Sequence, residues 1–399
     1  MTPCLFMLIL EVKLKGRPQQ FEAIDGAIRA AQFIRNKAVE YWQNHTTAGK
    51  HDLNKYCAVL AQEFEWAQKL NSMARQASAE RAWSSIARFL DSRRRKISGK
   101  RRFPRFKHNS RTVEYKSTGW KLSDDRKSIT FTDGFQIGQL RLIGTYDLSY
   151  QRDLIKRVRL VRRADGYYCQ FCVDVERQVN HTYNGAMAGL DMGLDDFCTT
   201  TSGERIASPA GIARSERGFR RLRRRLNRKQ KKSKNRSKLV RRLNRKYLKL
   251  TRQRKDFAIK SAKALCESND LIVYENLKIR PRSRRYRQCR SFSDDIWPVF
   301  ARWLEYYARL HRIVTVALSP RFSRTLCPRC GHPQQQALSS RTHCCVQCGH
   351  RETRAAQLLA REILVRGIQQ LSTAGHVETA GLEPEKSLGR EAPLPGTGN

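Results

Sequence analysis

The strongest constraint on this chain is a run of basic residues between positions 217 and 255. It holds 21 Lys or Arg residues in 39 positions and no Asp or Glu. The pattern predicts two helices joined near Ser233-Lys-Asn235, each with one narrow apolar stripe, so both must lie at the surface. The stripe residues recur at spacings of three or four within each helix, and they are Leu222, Leu226, Leu239, Leu243, Tyr247 and Leu250.

The sign of this charge indicates what the helices bind. A helix that is merely solvated usually alternates acids and bases, because opposite charges four positions apart attract each other. This run has no acids, and the whole chain carries 79 Lys or Arg against 36 Asp or Glu, a formal net charge of +43. The excess favours a polyanionic partner over a simple solvated surface. No apolar stretch approaches the roughly 18–20 residues of a membrane span. We therefore expect the partner to be nucleic acid and not a membrane.

We expect basic residues of these helices, and of a second basic loop at 100–107, to contact phosphates. Each such contact would steepen the salt dependence of binding. The residues predicted for this role are Arg105, Lys107, Arg221, Arg224, Arg228, Lys231, Lys234, Arg236, Arg241, Arg245 and Arg254.

The hydrophobic pattern divides the rest of the chain into regions. Period-two alternation predicts strands, and apolar residues every three or four positions predict helices. The predicted fold class is α+β with several domains: a barrel-like β-module with a helical insertion, then an α/β domain. The regions are the β-module over 1–16 and 112–180, helices over 17–111, the α/β domain over 185–320 and 351–372, a cysteine-rich module over 321–350 and a disordered tail over 373–399.

Two cysteine pairs indicate a metal site. Cys327 and Cys330 are separated by two residues, as are Cys345 and Cys348, with 14 residues between the pairs. This spacing suits one tetrahedral Zn²⁺ held by four thiolates. Neighbouring residues could substitute for one of the four, and these are His332, His343, Cys344 and His350.

A third pair, Cys169 and Cys172, has the same local spacing but lies on a predicted strand. Residues three apart on a strand point to opposite faces, and no second pair accompanies it. We therefore predict that these two cysteines pack in the protein interior and bind no metal.

Acidic residues are scarce, so their positions are informative. Asp191 ends the apolar strand 185–190, and Glu275 ends the apolar strand 271–274. Sheets of α/β domains present ligand groups at strand ends, and carboxylates that meet there bind hard divalent cations. Taken singly, either acid could be a turn or capping residue.

Together these motifs resemble the RuvC-like nuclease of the TnpB proteins, which are transposon-encoded relatives of the type V CRISPR effectors. The similar segments are Gly189-Leu-Asp191, Val273-Tyr-Glu275, the two cysteine pairs and Arg354-Ala-Ala, together with the blocks at 103–107, 233–236 and 254–257. The resemblance implies a wedge-like β-module, a helical recognition domain and an RNase-H-like core with a Cys4 zinc module before the last helix. It also implies RNA-guided, Mg²⁺- or Mn²⁺-dependent DNA cleavage.

In this reading Asp191 and Glu275 bind Mg²⁺, and the third carboxylate is Glu352 at the start of the last helix. The family usually has Asp in an Asp-x-Asn-Ala-Ala context there, whereas this chain has Glu352-Thr-Arg354-Ala-Ala. The metal ions would activate water and stabilise the leaving oxygen. A guide RNA would pair with the target, and the protein would read a short flanking motif in double-stranded DNA. The expected location is a prokaryotic cytoplasm, associated with the nucleoid.

Two alternatives remain open from the sequence. One is an RNA-guided DNA-binding protein, a repressor or targeting factor, whose nuclease is weakened or inactive because Glu352 replaces the usual Asp. The other is an architectural nucleic-acid-binding protein with no guide and no chemistry. The second alternative accounts for the charge and the zinc site, but not for two acids at the ends of buried strands.

Overall fold

The computed structural model describes residues 5–95, 103–144, 148–176, 179–193, 196–275, 292–318, 330, 332, 342–353 and 356–373. The chain forms two compact units. The first comprises Met1–Arg177 and Arg228–Leu248, and the second comprises Gln178–Asn227 and Lys249–Asn399. None of the helices within these described ranges is long and apolar enough to cross a membrane.

The first unit is built around one antiparallel sheet. Its strands are β1 (Leu5–Lys15), β2 (Thr112–Tyr115), β3 (Trp120–Leu122), β4 (Ser128–Phe131), β5 (Gly138–Ile143), β6 (Ile155–Arg163) and β7 (Gly166–Glu176). They are ordered β2-β6-β7-β1-β5-β4-β3. The N-terminal strand therefore lies at the centre, where it pairs antiparallel with β5 and β7.

The predicted barrel is corrected to an open sheet, because no hydrogen-bond ladder joins β2 to β3 among the described residues. The sheet must nevertheless curve strongly. Tyr115 ends the edge strand β2 and Trp120 begins the opposite edge strand β3. Only five peptide steps connect these two residues, so they lie at most about 18 Å apart. Seven strands laid flat would span about 29 Å. The curvature brings the two edges towards each other without pairing them.

Helices fill the gap between β1 and β2. They are α1 (Pro18–Asn44), α2 (Lys50–Glu63), the single turn α3 (Glu65–Gln68) and α4 (Ser72–Arg94). Their apolar faces join the sheet in one core that includes Ile34, Leu60, Ile86, Phe131 and Phe171.

The helical pattern from 53 to 94, which reads as one region in the sequence, is thus divided into three helices. Phe64 is extended between α2 and α3. Asn71 caps α4 by accepting a hydrogen bond from the Met73 N–H at 2.9 Å. Such capping residues stabilise a new helix start, and periodicity alone does not show them.

The second unit contains a mixed five-stranded sheet. Its strands are β8 (Met187–Asp191), β9 (Cys198–Thr200), β10 (Arg205–Ile206), β11 (Leu271–Glu275) and β12 (Val314–Leu318). They are ordered β10-β9-β8-β11-β12. The first three strands form an antiparallel meander, while β11 lies parallel to both β8 and β12.

The remaining helices are α5 (Ala210–Asn227), α6 (Lys234–Ser268), α7 (Phe292–His311) and α8 (Ala356–Thr373). All lie in the second unit except the first part of α6, which belongs to the first unit up to Leu248. Helices α6 and α7 cover one face of the sheet through a core that includes Ala262, Ile272 and Phe300. Helix α8 covers the other face. A Cβ on Gly189 would lie 2.0 Å from the Ala360 carbonyl oxygen, so only glycine permits this crossing.

Glu352 lies in a strand and not in the last helix, which corrects the expectation from the sequence. The two-stranded sheet of β13 (Thr342–Cys344) and β14 (Arg351–Thr353) pairs Glu352 with His343. This pairing holds residue 352 in extended backbone, and α8 begins only at Ala356. The predicted tail beyond residue 373 lies outside the described residues.

Candidate functional site

The two acids singled out in the sequence lie side by side. Asp191 is the last residue of β8 and Glu275 is the last residue of β11. The parallel register places Tyr274 beside Leu190, so Glu275 and Asp191 are the next residues along two neighbouring strands. Neighbouring strands are about 4.8 Å apart. The structure therefore brings together two carboxylates that are 84 positions apart in the chain.

Both carboxylates are buried and lie on the α8 face of the sheet. Asp191 is 6% exposed and Glu275 is 4% exposed. Side chains two apart on a strand share a face, and the corresponding residues before them, Gly189 and Val273, contact α8 through Ala360 and Gly367. Carboxylate oxygens that lie together in this way are groups that could bind a hard divalent cation.

The residues around this pair fix its position. Tyr274, on the opposite face, donates its hydroxyl to Glu305 Oε1 at 3.0 Å, and burial together with the Glu305 charge raises its pKa. Burial, with the Asp191 charge as the next contributor, raises the pKa of Cys198 to about 12. The Cys198 thiol is therefore neutral at neutral pH, and it packs in the interior instead of acting as a metal ligand.

No sequence pattern marks Thr199, which the structure places beside Asp191. Thr199 pairs directly with Asp191 across β8 and β9 and is 4% exposed. Directly paired residues share a face of the sheet, so a hydroxyl lies next to the carboxylate. Only the β8–β9 register brings the two together.

The third predicted acid, Glu352, has its backbone in β14, but its side chain lies outside the described part of the structure. Its placement relative to Asp191 and Glu275 stays a prediction.

Three of the four predicted zinc ligands converge. The thiol sulfurs of Cys330, Cys345 and Cys348 lie within 4.8 Å of one another, and the Cys330 and Cys345 sulfurs are 3.6 Å apart. Cys327 lies outside the described residues. Such a cluster of thiols fits Zn²⁺ better than a hard cation, because zinc prefers thiolate ligands.

A tight turn between β13 and β14 builds this cluster. The Cys345 N–H donates to the His350 carbonyl at 2.9 Å, and Gly349 has φ +65° and donates to the Cys345 carbonyl. The turn directs the N–H groups of Cys348 and Gln347 at the Cys345 sulfur. These hydrogen bonds, Cys348 first, lower the pKa of the Cys345 thiol to about 6, a value typical of metal-binding or reactive cysteines.

The pair Cys169 and Cys172 behaves as the sequence predicts. Both lie on β7 and are buried. Burial raises the pKa of both thiols.

The basic run forms the expected helices. Helix α5 ends at Asn227 and α6 begins at Lys234. Ser233 marks the start of α6, because its hydroxyl accepts a hydrogen bond from the Arg236 N–H at 3.1 Å. Most of the predicted phosphate-binding side chains are exposed, and these are Arg105, Lys107, Arg221, Arg224, Arg228, Lys231, Lys234, Arg241 and Arg245.

Two predicted binding residues are instead half-buried. Arg236 donates to the Lys229 carbonyl at 3.2 Å. Arg254 forms an ion pair with Glu216, a buried acid on α5 that also pairs with Arg220 at 3.0 Å. Glu216 lies just before the acid-free run and holds α6 against α5, a role that the sequence pattern did not reveal.

Comparisons with known proteins agree with this arrangement. Residues 170–285 match the OrfB_IS605 family, described as a probable transposase, and residues 297–356 match the Cas12f1-like TNB domain. A Streptomyces pristinaespiralis protein provisionally named an RNA-guided DNA endonuclease is 30% identical over 207 residues, which cover 51% of this chain and 50% of that protein. The provisionally named RNA-guided DNA endonuclease InsQ of Escherichia coli K12 is 23% identical over 88% of this chain and 90% of its own length.

The fold has solved counterparts. A Cas12f1 complex with single-guide RNA and target DNA superposes with a TM-score of 0.50 and 14% identity, over 80% of this chain and 76% of that one. The mini-RNA-guided endonuclease Cas_phi3 gives 0.51 and 9% identity, over 92% of each chain. The mixed α/β multidomain fold is therefore similar to that of Cas12f1 and Cas_phi3. The two family matches and the named relatives agree with the resemblance to the TnpB proteins.

Proposed function

We propose that this protein is an RNA-guided DNA endonuclease of a transposable element. The observation that carries the proposal is the pair Asp191 and Glu275, buried side by side at the ends of two parallel strands. The names of the relatives and the fold shared with Cas12f1 and Cas_phi3 support the same activity. They do not favour a protein with an inactive nuclease.

In the proposed RuvC-like, RNase-H-type core, Asp191 and Glu275 hold divalent cations, Mg²⁺ or Mn²⁺, with Glu352 as the third carboxylate. Carboxylate oxygens are the ligands that these cations prefer. When bound, the cations polarise the scissile phosphate and activate the attacking water. The protein residues orient the cations: the shared register of β8 and β11 sets the spacing of the carboxylates, and the α8 packing keeps them away from bulk water.

The proposed partners are a guide RNA and a double-stranded DNA target with a short flanking motif. Neighbouring structures were solved with single-guide RNA and target DNA, and with CRISPR RNA. The exposed Arg and Lys side chains of α5 and α6 supply the charge that phosphate binding needs. The proposed location is a prokaryotic cytoplasm, near the nucleoid.

The cysteine cluster is proposed as a structural zinc site with Cys327 as the fourth ligand. Zinc would fix the β13–β14 turn, and with it the chain that leads into α8. Because α8 covers the face that carries the carboxylates, the zinc module would position the active site without taking part in chemistry.

Cleavage of matched DNA tests the nuclease proposal. The purified protein with its co-purifying RNA is incubated with Mg²⁺ and DNA that matches the sequenced guide, beside Asp191→Ala. Asp256→Ala is a matched control, because Asp256 is exposed and pairs only across one turn with Lys260. We expect cleavage by the wild type and the control but not by Asp191→Ala. Equal behaviour of wild type and Asp191→Ala, without cleavage, would refute the activity.

A further inference from the structure

A segment of irregular chain is fixed along helix α1. The Asn36 side chain donates to the Lys107 carbonyl at 2.8 Å and accepts from the Lys107 N–H at 2.9 Å. Further along, Gln32 accepts from the Ser110 N–H at 2.6 Å. At the other end, Phe103 packs edge-on against Phe89 at 5.2 Å. The 103–110 segment is therefore held at both ends and at its middle, and its geometry is formed before any ligand arrives.

This fixed segment lies over a buried cation. Arg35 is only 7% exposed. Within the described residues both of its hydrogen bonds run through Nη1 to neutral acceptors, the Arg105 carbonyl at 3.2 Å and the Asn36 amide oxygen at 3.1 Å. Burial, with a smaller contribution from Arg81, lowers the pKa of Arg35 to about 10. A buried charge with only neutral partners is costly for a protein to retain.

A second cation shares this surrounding. Although Lys107 is exposed overall, partial burial of its ammonium, followed by the positive charges of Arg81 on α4 and Arg35 on α1, lowers the pKa of Lys107 to about 8. No carboxylate pairs with Lys107 or Arg35 in the described part of the chain. Arg81 itself donates to Thr112 Oγ1 at 2.8 Å, just beyond the segment. Three positive groups thus converge from three parts of the sequence.

Two exposed aromatic residues belong to the same segment as Lys107. Phe103 is 49% exposed and Phe106 is 44% exposed, although each is large and apolar. Bases of single-stranded nucleic acid stack on such rings, whereas a small inorganic anion would make no use of them.

We propose that the 103–110 segment and α1 form a preformed site for a phosphodiester group of nucleic acid, with Arg35 and Lys107 as its cationic ligands. Arg81 reinforces the positive charge, and Phe103 and Phe106 accept neighbouring bases. The inference rests on the proposed nucleic-acid function, but it concerns binding and does not require cleavage.

The salt dependence of binding tests the site. Affinities of the full chain for labelled single-stranded RNA, duplex DNA and an RNA–DNA hybrid are measured from 50 to 300 mM NaCl. Loss of one phosphate contact lowers the slope of log affinity against log salt by about 0.7–0.9. We expect Lys107→Gln to lose this amount on at least one probe, and the affected probe identifies the nucleic acid bound. Lys121→Gln, an exposed lysine on β3, serves as the control and should keep the wild-type slope.

The pH dependence gives a second readout that a structural role would not move. The Lys107 ammonium is charged below a pH of about 8 and neutral above it. Wild-type affinity for the affected probe should therefore fall by up to about tenfold from pH 7 to pH 9, since one proton is linked to binding. Lys107→Arg should bind at pH 7 like the wild type and lose this fall, because a guanidinium stays charged.

The outcomes separate this site from the wider function. If the wild type binds and cleaves but Lys107→Gln keeps the wild-type slope on all three probes, the site is refuted and the endonuclease proposal stands. If the wild type binds none of the probes, both are refuted. A lowered slope together with the pH effect supports the site even if cleavage is absent.

Discussion

The carboxylate pair of the second unit and the Arg35–Lys107 site of the first unit carry opposite charges. The first brings two acidic side chains together, and the second brings two basic ones together. Each holds like charges of which folding has buried at least one: Asp191 and Glu275 are 6% and 4% exposed, and Arg35, beside the exposed Lys107, is 7% exposed. Like charges brought together in this way destabilise a fold unless an ion of opposite sign binds. On the two proposals made above, each site would bind an ion of opposite charge, a divalent cation in one case and a phosphate in the other.

The largest expected effect is on cleavage by the carboxylate site. Asp191→Asn or Glu275→Gln removes one anionic ligand, and we expect single-turnover cleavage to fall by roughly a thousandfold or more, about 4 kcal/mol of barrier. Asp256→Ala, the exposed control on α6, should leave the cleavage rate unchanged. A loss of less than tenfold for both acid variants would contradict the assignment of the carboxylates.

The next effect concerns the third carboxylate. If Glu352 is a working ligand, Glu352→Asp shortens its reach by one methylene, and a misplacement of about 1 Å can cost up to a hundredfold in rate. We expect cleavage to fall by that order. A rise in cleavage would instead show that the natural Glu attenuates the nuclease.

Two cysteines extend the comparison, because Cys348 belongs to the thiol cluster whereas Cys169 is buried away from it. Cys348→Ser should lower bound zinc, measured by atomic emission, from about one per chain towards zero, because the thiolate cluster loses a ligand. Cys169→Ser is the matched control, buried on β7, and should keep its zinc while losing about 1–3 kcal/mol of stability through an ill-matched polar group. Retention of zinc by Cys348→Ser would contradict the proposed site.

The smallest expected effect is on stability without ligand. Arg35→Met removes a buried cation and keeps its volume, so we expect the free energy of unfolding to rise by about 1 kcal/mol. In a chelator, Asp191→Asn should give a similar gain by removing one of two like charges. Thermal unfolding would register each as an increase of about 2–4 °C. A drop in melting temperature for both variants would show that these charges stabilise the free protein, which would remove the basis of the comparison.

The position of the carboxylate pair was largely predictable from the sequence, whereas of the two cationic residues of the proposed phosphate site only Lys107 was predicted. Asp191 and Glu275 are marked in the sequence because each ends a short apolar strand, and parallel strands present their ends together. Arg35 and Lys107 meet although they are 72 positions apart, and Arg35 lies within a helix pattern that gives no reason to single it out. The basic run also suggested a phosphate-binding role for Arg254, but this side chain forms an ion pair with Glu216.

The cysteines show why spacing was informative only in part. Cys169-x2-Cys172 and Cys345-x2-Cys348 are the same motif, and the strand pattern around the first predicted packing. The lowered pKa of Cys345 depends on N–H groups that the turn directs at its sulfur. The spacing of the cysteines does not predict where these N–H groups point. The open edge of the first sheet has the same origin, since strand patterns do not show whether the first and last strands pair.

By itself, the sequence determined the order of helices and strands, the surface position of the basic helices, the two acids at strand ends and the paired cysteines, because each is written in local period or spacing. Only the tertiary structure decided that β11 lies beside β8 in matched register, that the first sheet stays open, and that Arg35 is buried beside Lys107. These features depend on contacts between residues far apart in the chain, where the packing of the whole unit outweighs local preference.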